Sequence, residues 1–274
     1  AMNLVIAKLI MRLAKKRNCN MAVLTEKQIK YGFDYYHKDD ARPKSVVEVS
    51  EYDGEDKLII NCTQLDEGYS AKDKKRIWLE WCDFLVNNPD AFTELMFCTR
   101  MPQDLFDAVC AQRRLKKLHI KWGVYPDISK LESLQELEYL HIGSGRSVSS
   151  LEPISRLVNL VALSIENFQQ IDDYAPLANL KHLESLALEG DFAAPKILKV
   201  QSLEFLRHMK QLRFFSLLTA KVIDKDYSPV LELNNLEHLT LKSCKEVKQL
   251  YPQFVKLPKL KYGTVLERPE LYEK

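Results

Sequence analysis

The 274-residue chain carries 46 % hydrophobic and 28 % charged residues and a formal net charge of +2. A chain of this size buries a sizeable core in one or two domains, and its charge lacks the basic excess of a nucleic-acid binder. With only 8 glycines a glycine-rich phosphate loop is not expected, and no stretch approaches the ~20 apolar residues of a membrane span.

The chain opens with Ala1 before Met2, read as a cloning remnant, and then NLVIAKLIMRLAKKRN. Lys8 and Arg12 interrupt its apolar run and the basic cluster follows it, the reverse of a secretory signal. Its apolar residues are expected to cover one end of the fold; the alternatives are a basic amphipathic helix on a membrane surface and a targeting peptide. The six cysteines, Cys19, Cys62, Cys82, Cys98, Cys110 and Cys244, form no CxxC pair. They read as free thiols in a reducing compartment, which predicts a cytoplasmic location.

Next, KSVVEVSEYDGEDKLIINC reads as a β-hairpin, two β-branched runs about Asp53-Gly54. SAKDKKRIWLEWCDFLVNNP reads as a helix with Ser70 as N-cap and Asn87-Asn88-Pro89 as its stop. Ile77, Trp78, Trp81, Phe84 and Leu85 share one face of it. Residues 2–91 are therefore expected to be an N-terminal α+β cap or small domain.

From Phe92 onward a pattern recurs. Large apolar residues fall at LxxLxL spacing with first positions 115, 137, 160, 183, 212 and 236; a weak copy precedes them at 92 and a decayed one, Leu260-Gly263-Val265, follows, so the intervals are 23, 22, 23, 23, 29, 24 and 24. A spacing of two is that of a strand, whose side chains alternate between faces. The spacing of three before it, as in Leu131-Leu134-Leu137, suits a tight helical return. Stacked units bury the leucines in one continuous ladder, so Leu163, Leu186 and Leu239 are expected to be fully buried. The 29-residue interval, with Pro195 inside it, predicts a longer convex helix or a protruding loop, and residues 219–231 a second loop.

These residues resemble the leucine-rich repeat family, in particular its short bacterial, internalin-like class. Val148-Ser-Ser-Leu151-Glu-Pro153-Ile154 and Ile171-Asp-Asp-Tyr174-Ala-Pro176-Leu177 are similar to the return segments of that class. The resemblance covers 92–266 as a solenoid of seven to eight repeats, leaving 267–274 as a tail. It implies an α/β fold, a right-handed superhelix with a parallel concave sheet, behind the N-terminal cap. The family's bend asparagine is absent; Gly123, Gly145, Phe168, Asp191, Ala220 and Cys244 stand there. Irregular bends are expected, because backbone polar groups there need other partners.

The strand residues facing away from the leucines form three columns. The first holds Lys117, Tyr139, Ala162, Ser185, Phe214, His238 and Tyr262; the middle holds His119, His141, Ser164, Ala187, Ser216, Thr240 and Thr264; the third holds Lys121, Gly143, Glu166, Glu189, Leu218, Lys242 and Leu266. Small middle residues beside Phe214, His238 and Tyr262 predict a shallow trough with aromatic walls, a favoured composition for partner binding. Arg113, Arg114, Lys116, Lys117 and Lys121 against Glu166 and Glu189 predict a charge gradient along it. Tyr139→Ala, Phe214→Ala and Tyr262→Ala are expected to weaken binding and leave folding intact.

His119 and His141 fall on adjacent rungs, but a metal site needs three or four donors and no third donor is visible; Cys98 beside His119 lacks an orienting group and an oxyanion site. Asp39-Asp40 and Asp172-Asp173 read as solvated turns. No P-loop, dinucleotide fingerprint, HExxH or GxSxG occurs. The expectation is a non-enzymatic scaffold without cofactor that binds a protein partner through the concave face. The alternatives are an enzyme or separate functional domain in residues 2–91, and an intracellular regulatory or immunity-type inhibitor subunit.

Overall fold

A computed structural model describes residues 23–35, 42–191 and 196–273. The N-terminal segment expected to cover one end of the fold, Cys19, the Asp39-Asp40 turn and the Pro195 helix start lie outside these residues.

The strands in chain order are β1 (Lys44–Val46), β2 (Lys57–Ile60), β3 (Glu94–Phe97), β4 (Met101–Pro102), β5 (Lys117–Ile120), β6 (Gly123–Val124), β7 (Tyr139–Ile142), β8 (Ala162–Glu166), β9 (Ser185–Glu189), β10 (Leu198–Val200), β11 (Phe214–Leu218), β12 (Ala220–Val222) and β13 (His238–Leu241). Nine of them form one sheet in the order β1-β2-β3-β5-β7-β8-β9-β11-β13, and every pairing is parallel. The chain is an α/β leucine-rich-repeat solenoid. Its spine is one run of rungs, Leu58, Leu95, Leu118, Leu140, Leu163, Leu186, Phe215 and Leu239. All are fully buried, because each coil can hide its apolar edge only against the coils on either side.

The returns are single turns of 3₁₀ helix, at Ser129–Ser133, Ala175–Asn179, Glu204–His208 and Ser228–Glu232, and one α-turn at Glu152–Ser155. Three of the bends share a conformation, while the equivalent positions Trp122, Gly190 and Ser243 do not adopt positive φ. Ser144, Asn167 and Thr219, each seven residues after its coil's first leucine, adopt positive φ of 53°, 59° and 49°. In two places a tyrosine satisfies a backbone carbonyl: the Tyr125 hydroxyl donates to Gly143 O and that of Tyr272 to Leu241 O at 2.6 Å. At Gly143 the coils approach so closely that a Cβ would lie 2.0 Å from Lys121 O.

Three sequence expectations need correction. Residues 44–62 are not a hairpin: β1 and β2 pair in parallel, Val46 beside Ile60, and extend the main sheet past β3. A parallel pair needs a crossover, supplied by residues 47–56 with the 3₁₀ turn Val49–Glu51; Asp53-Gly54 lies within that crossover. The 29-residue interval and residues 219–231 hold strands, not a convex helix or plain loops: β10 pairs with β12 in a small separate sheet, as β4 does with β6. The last coil holds a single bridge, His238 to Tyr262, before Gly263 at φ +98° turns the chain into the helix Thr264–Glu267. Thr264 and Leu266 therefore leave the columns.

The helix Ala71–Asn87 forms as its signals predict. Ser70 Oγ accepts from Asp73 N and Asn88 ends it, while Ile77, Trp81 and Leu85 are buried. Its core joins that of the repeats in one cluster running from Val46 to Tyr272. Among the described residues no helix is long and apolar enough to cross a membrane.

Candidate functional site

The columns form as the spacing requires. Lys117, Tyr139, Ala162, Ser185, Phe214 and His238 are lateral neighbours, as are His119, His141, Ser164, Ala187, Ser216 and Thr240. Glu166 lies beside Glu189, and Glu189 beside Leu218. Lys121 and Lys242 follow their strands and are exposed.

The trough, however, is not open. Residues 23–35 lie across this face as a strap. Phe214 is 7 % exposed, Ser185 1 %, Ser216 4 % and Thr240 7 %. Leu24, Ile29 and Phe33 of the strap are buried in a cluster with Val161, Ala162, Ala187 and Phe214, flanked by Tyr139 and Tyr262. Phe214 is therefore buried against the chain's own segment, while Tyr139 and Tyr262 beside it are half-buried. Tyr139→Ala, Phe214→Ala and Tyr262→Ala, expected from the sequence to weaken binding, would each also remove part of the strap's seat.

Local chemistry shapes the strap. Thr25 caps the helix Glu26–Tyr31 in a reciprocal capping box with Gln28. Leu24 precedes the cap and Ile29 is the fourth helical residue, the spacing of a hydrophobic staple, so both side chains point to the same wall. Polar contacts hold both ends. Val23 N and Leu24 N donate to the Glu184 carboxylate at 2.7 and 3.1 Å, and Arg213 Nη1 donates to Leu24 O at 2.8 Å. The Tyr262 hydroxyl donates to Glu26 Oε1 at 2.7 Å. The rings of Phe33 and Tyr139 lie 6.1 Å apart. Asp34 Oδ2 lies 3.2 Å from His141 Nδ1, which also contacts Ser164 Oγ at 3.0 Å.

Lateral pairing between coils offsets part of the expected charge gradient. Arg113 pairs with Asp90, Lys116 with Glu138 at 3.1 Å, and Lys117 with Glu94 at 3.0 Å. Glu184, Arg213, Glu237 and Lys261 continue such a ladder, with links of 2.8, 2.7 and 2.9 Å. That ladder is the one that grips Leu24.

Burial sets the protonation of the covered groups. It pushes His238 down to about 4. Burial, then the neighbouring His141, pushes His119 down to about 3. For Asp34, burial acts to raise the carboxyl, but the His141 hydrogen bond and charge outweigh it and the net shift is downward. Glu166 and Glu189 are raised, chiefly by burial. A histidine held neutral below its ordinary value stabilises the fold fully above about pH 6.5, and that contribution is lost as pH falls toward the folded value. The stability of the wild type relative to His238→Gln, from urea unfolding, should therefore decline between pH 6.5 and about 4, by at most about 1.4 kcal/mol per pH unit. Parallel pH curves would show that His238 is not covered.

No family model matches the chain, and no curated protein matches it. Among solved structures, an internalin, InlF, from Listeria monocytogenes is similar over 75 % of this chain and 51 % of its own, at 17 % identity and a TM-score of 0.48. Internalin C2 from the same organism is similar over 67 % of this chain and 83 % of its own, at 16 % identity and a TM-score of 0.40. A leucine-rich-repeat protein of Leptospira interrogans is similar over 74 % and 64 %, at 17 % identity and a TM-score of 0.36. The chain spans about half the length of the first of these. Its repeat architecture stands on the strand registers above.

Proposed function

We propose that this leucine-rich-repeat protein is a non-enzymatic recognition module whose concave face binds an amphipathic segment of a protein partner, and that residues 23–35 hold that site in cis until displaced. One observation carries the reading: the face already grips a peptide segment. The strap puts Leu24, Ile29 and Phe33 into the wall of Tyr139, Ala162, Ala187 and Phe214, while Glu184 and Arg213 hold its backbone. This is the groove mode of helix recognition, apolar anchors on one face of a short helix with polar contacts at the ends. A stacked-repeat sheet offers such an extended surface. The five described cysteines are free thiols, which fits a reducing, cytoplasmic compartment.

The test uses the full chain with and without Ile29→Asp, and a synthetic peptide of residues 23–35 supplied in trans. The wild type should bind the peptide at least ~10-fold more weakly, because a tethered segment competes at an effective concentration in the millimolar range. In the variant the peptide should shift the ring resonances of Tyr139 and Phe214. If the folded variant shows no such shifts, the face does not recognise segments of this kind and the reading fails.

A further inference from the structure

We propose that Asp34, His119 and His141 form a binding site for a divalent transition-metal ion, Zn²⁺ foremost, that clasps the strap to the sheet. His119 and His141 are lateral neighbours on β5 and β7, and their rings stack with centroids 4.2 Å apart and 11° between planes. The strap brings Asp34 over this pair. One donor atom from each of the three residues lies within 4.8 Å of the other two, close enough for a single ion to draw them together at ordinary coordination distances.

Two independent observations point to a cation. First, His119 Nδ1 is buried and has no hydrogen-bond partner among the described residues, a costly state for a ring nitrogen that a ligand would relieve. Second, carboxylates gather beside the histidines. Glu166 and Glu189 are lateral neighbours, and Glu166 lies on β8 two residues beyond Ser164, which pairs laterally with His141. Glu189 accepts from Ser216 Oγ at 3.2 Å, a neutral partner that supplies no balancing charge.

The donor set selects the metal. Two imidazoles and one carboxylate suit Zn²⁺ and its first-row neighbours, whereas Mg²⁺ and Ca²⁺ prefer oxygen ligands alone. Three protein donors leave a position for water. The ion would join two rungs of the sheet to the C-terminal end of the strap, opposite the Glu184–Arg213 grip. The site requires only that residues 23–35 lie where they do, not that a partner displaces them, so it stands or falls separately from the recognition reading.

The test titrates Zn²⁺ into the metal-free full chain by calorimetry, with Mg²⁺ as control. One equivalent should bind, and Mg²⁺ should not compete. His119→Ala, His141→Ala and Asp34→Asn should each weaken binding by at least the ~10–100-fold that loss of an outer-shell partner costs. Asp34 lies off the sheet, so its variant leaves the spine intact. Zn²⁺ should slow amide exchange over residues 31–35 in the wild type and not in Asp34→Asn. Co²⁺ substitution separates this site from the free thiols, since thiolate ligation adds a charge-transfer band that imidazole and carboxylate do not. Zn²⁺ affinity unchanged in a folded His119→Ala/His141→Ala chain, or a thiolate band with Co²⁺, overturns the site. Binding that depends on both histidines but not on Asp34 overturns the clasp.

Discussion

Leu186→Ala should lower the unfolding free energy by roughly 2–5 kcal/mol, measured by urea denaturation. Leu186 is fully buried and lies on the spine between Leu163 and Phe215. The cost comes from two sources, the lost transfer free energy of the side chain and the cavity left behind. In a stack of parallel rungs the cavity term should be large. Neighbouring strands are fixed ~4.8 Å apart by their ladder hydrogen bonds, so the coils above and below cannot close on the void. Because each coil's core is continuous with the next, the loss should appear as a lower midpoint of one transition. A change below about 1 kcal/mol, the range of surface substitutions, would mean that Leu186 does not lie in a packed spine.

Ile29→Asp should act on a different part of the molecule and in a different way. Ile29 is fully buried, yet its cluster of Leu24, Phe33, Val161, Ala162, Ala187 and Phe214 is separate from the spine. Substitution removes about 1.5–3 kcal/mol of apolar burial and leaves a carboxylate with no basic partner in that cluster, a further penalty. The strap can escape the penalty by leaving the sheet, which the spine residues cannot. Amide exchange should therefore accelerate at least ~100-fold over residues 24–34, while the urea midpoint of the whole chain moves less than in Leu186→Ala. Such local opening is characteristic of elements with few buried anchors. If the two variants lower the midpoint equally and exchange stays slow over the strap, residues 24–34 belong to the core and are not a displaceable element.

The spine and columns were legible because repetition makes them so. A single LxxLxL is ambiguous, but successive copies in one phase assign a face to every strand residue, and Tyr139, Ala162, Ser185 and Phe214 fall into line as the count requires. What failed lacked repetition. β1 and β2 precede the regular copies, and Asp53-Gly54 imitated a hairpin turn where the pairing is parallel. The charge gradient is weaker than the sequence suggests because the compensating partner of Lys116, Glu138, lies 22 residues away, one coil on, where a linear reading does not pair it.

The strap was missed for a stronger reason. Its partners are remote: Leu24 N reaches Glu184 across 160 positions and Tyr262 reaches Glu26 across 236. No local pattern reports such contacts. A signal was nevertheless present. Thr25-Glu-Lys-Gln28 is a capping box, and Leu24 with Ile29 is its staple; together they announce a short helix with one apolar face in need of a wall. The same omission hid the third metal donor. His119 and His141 could be placed side by side from the period, but Asp34 joins them only through the strap.

The central claim is that residues 23–35 occupy the concave face of the sheet. Nuclear Overhauser contacts in the intact protein test it most directly. The account predicts cross-peaks from the Phe33 ring to the Tyr139 ring, and from Ile29 methyl groups to the Phe214 ring. A strap whose side chains show no contact beyond their own helix, with Phe214 and Ser185 accessible to a soluble paramagnetic probe, would contradict it.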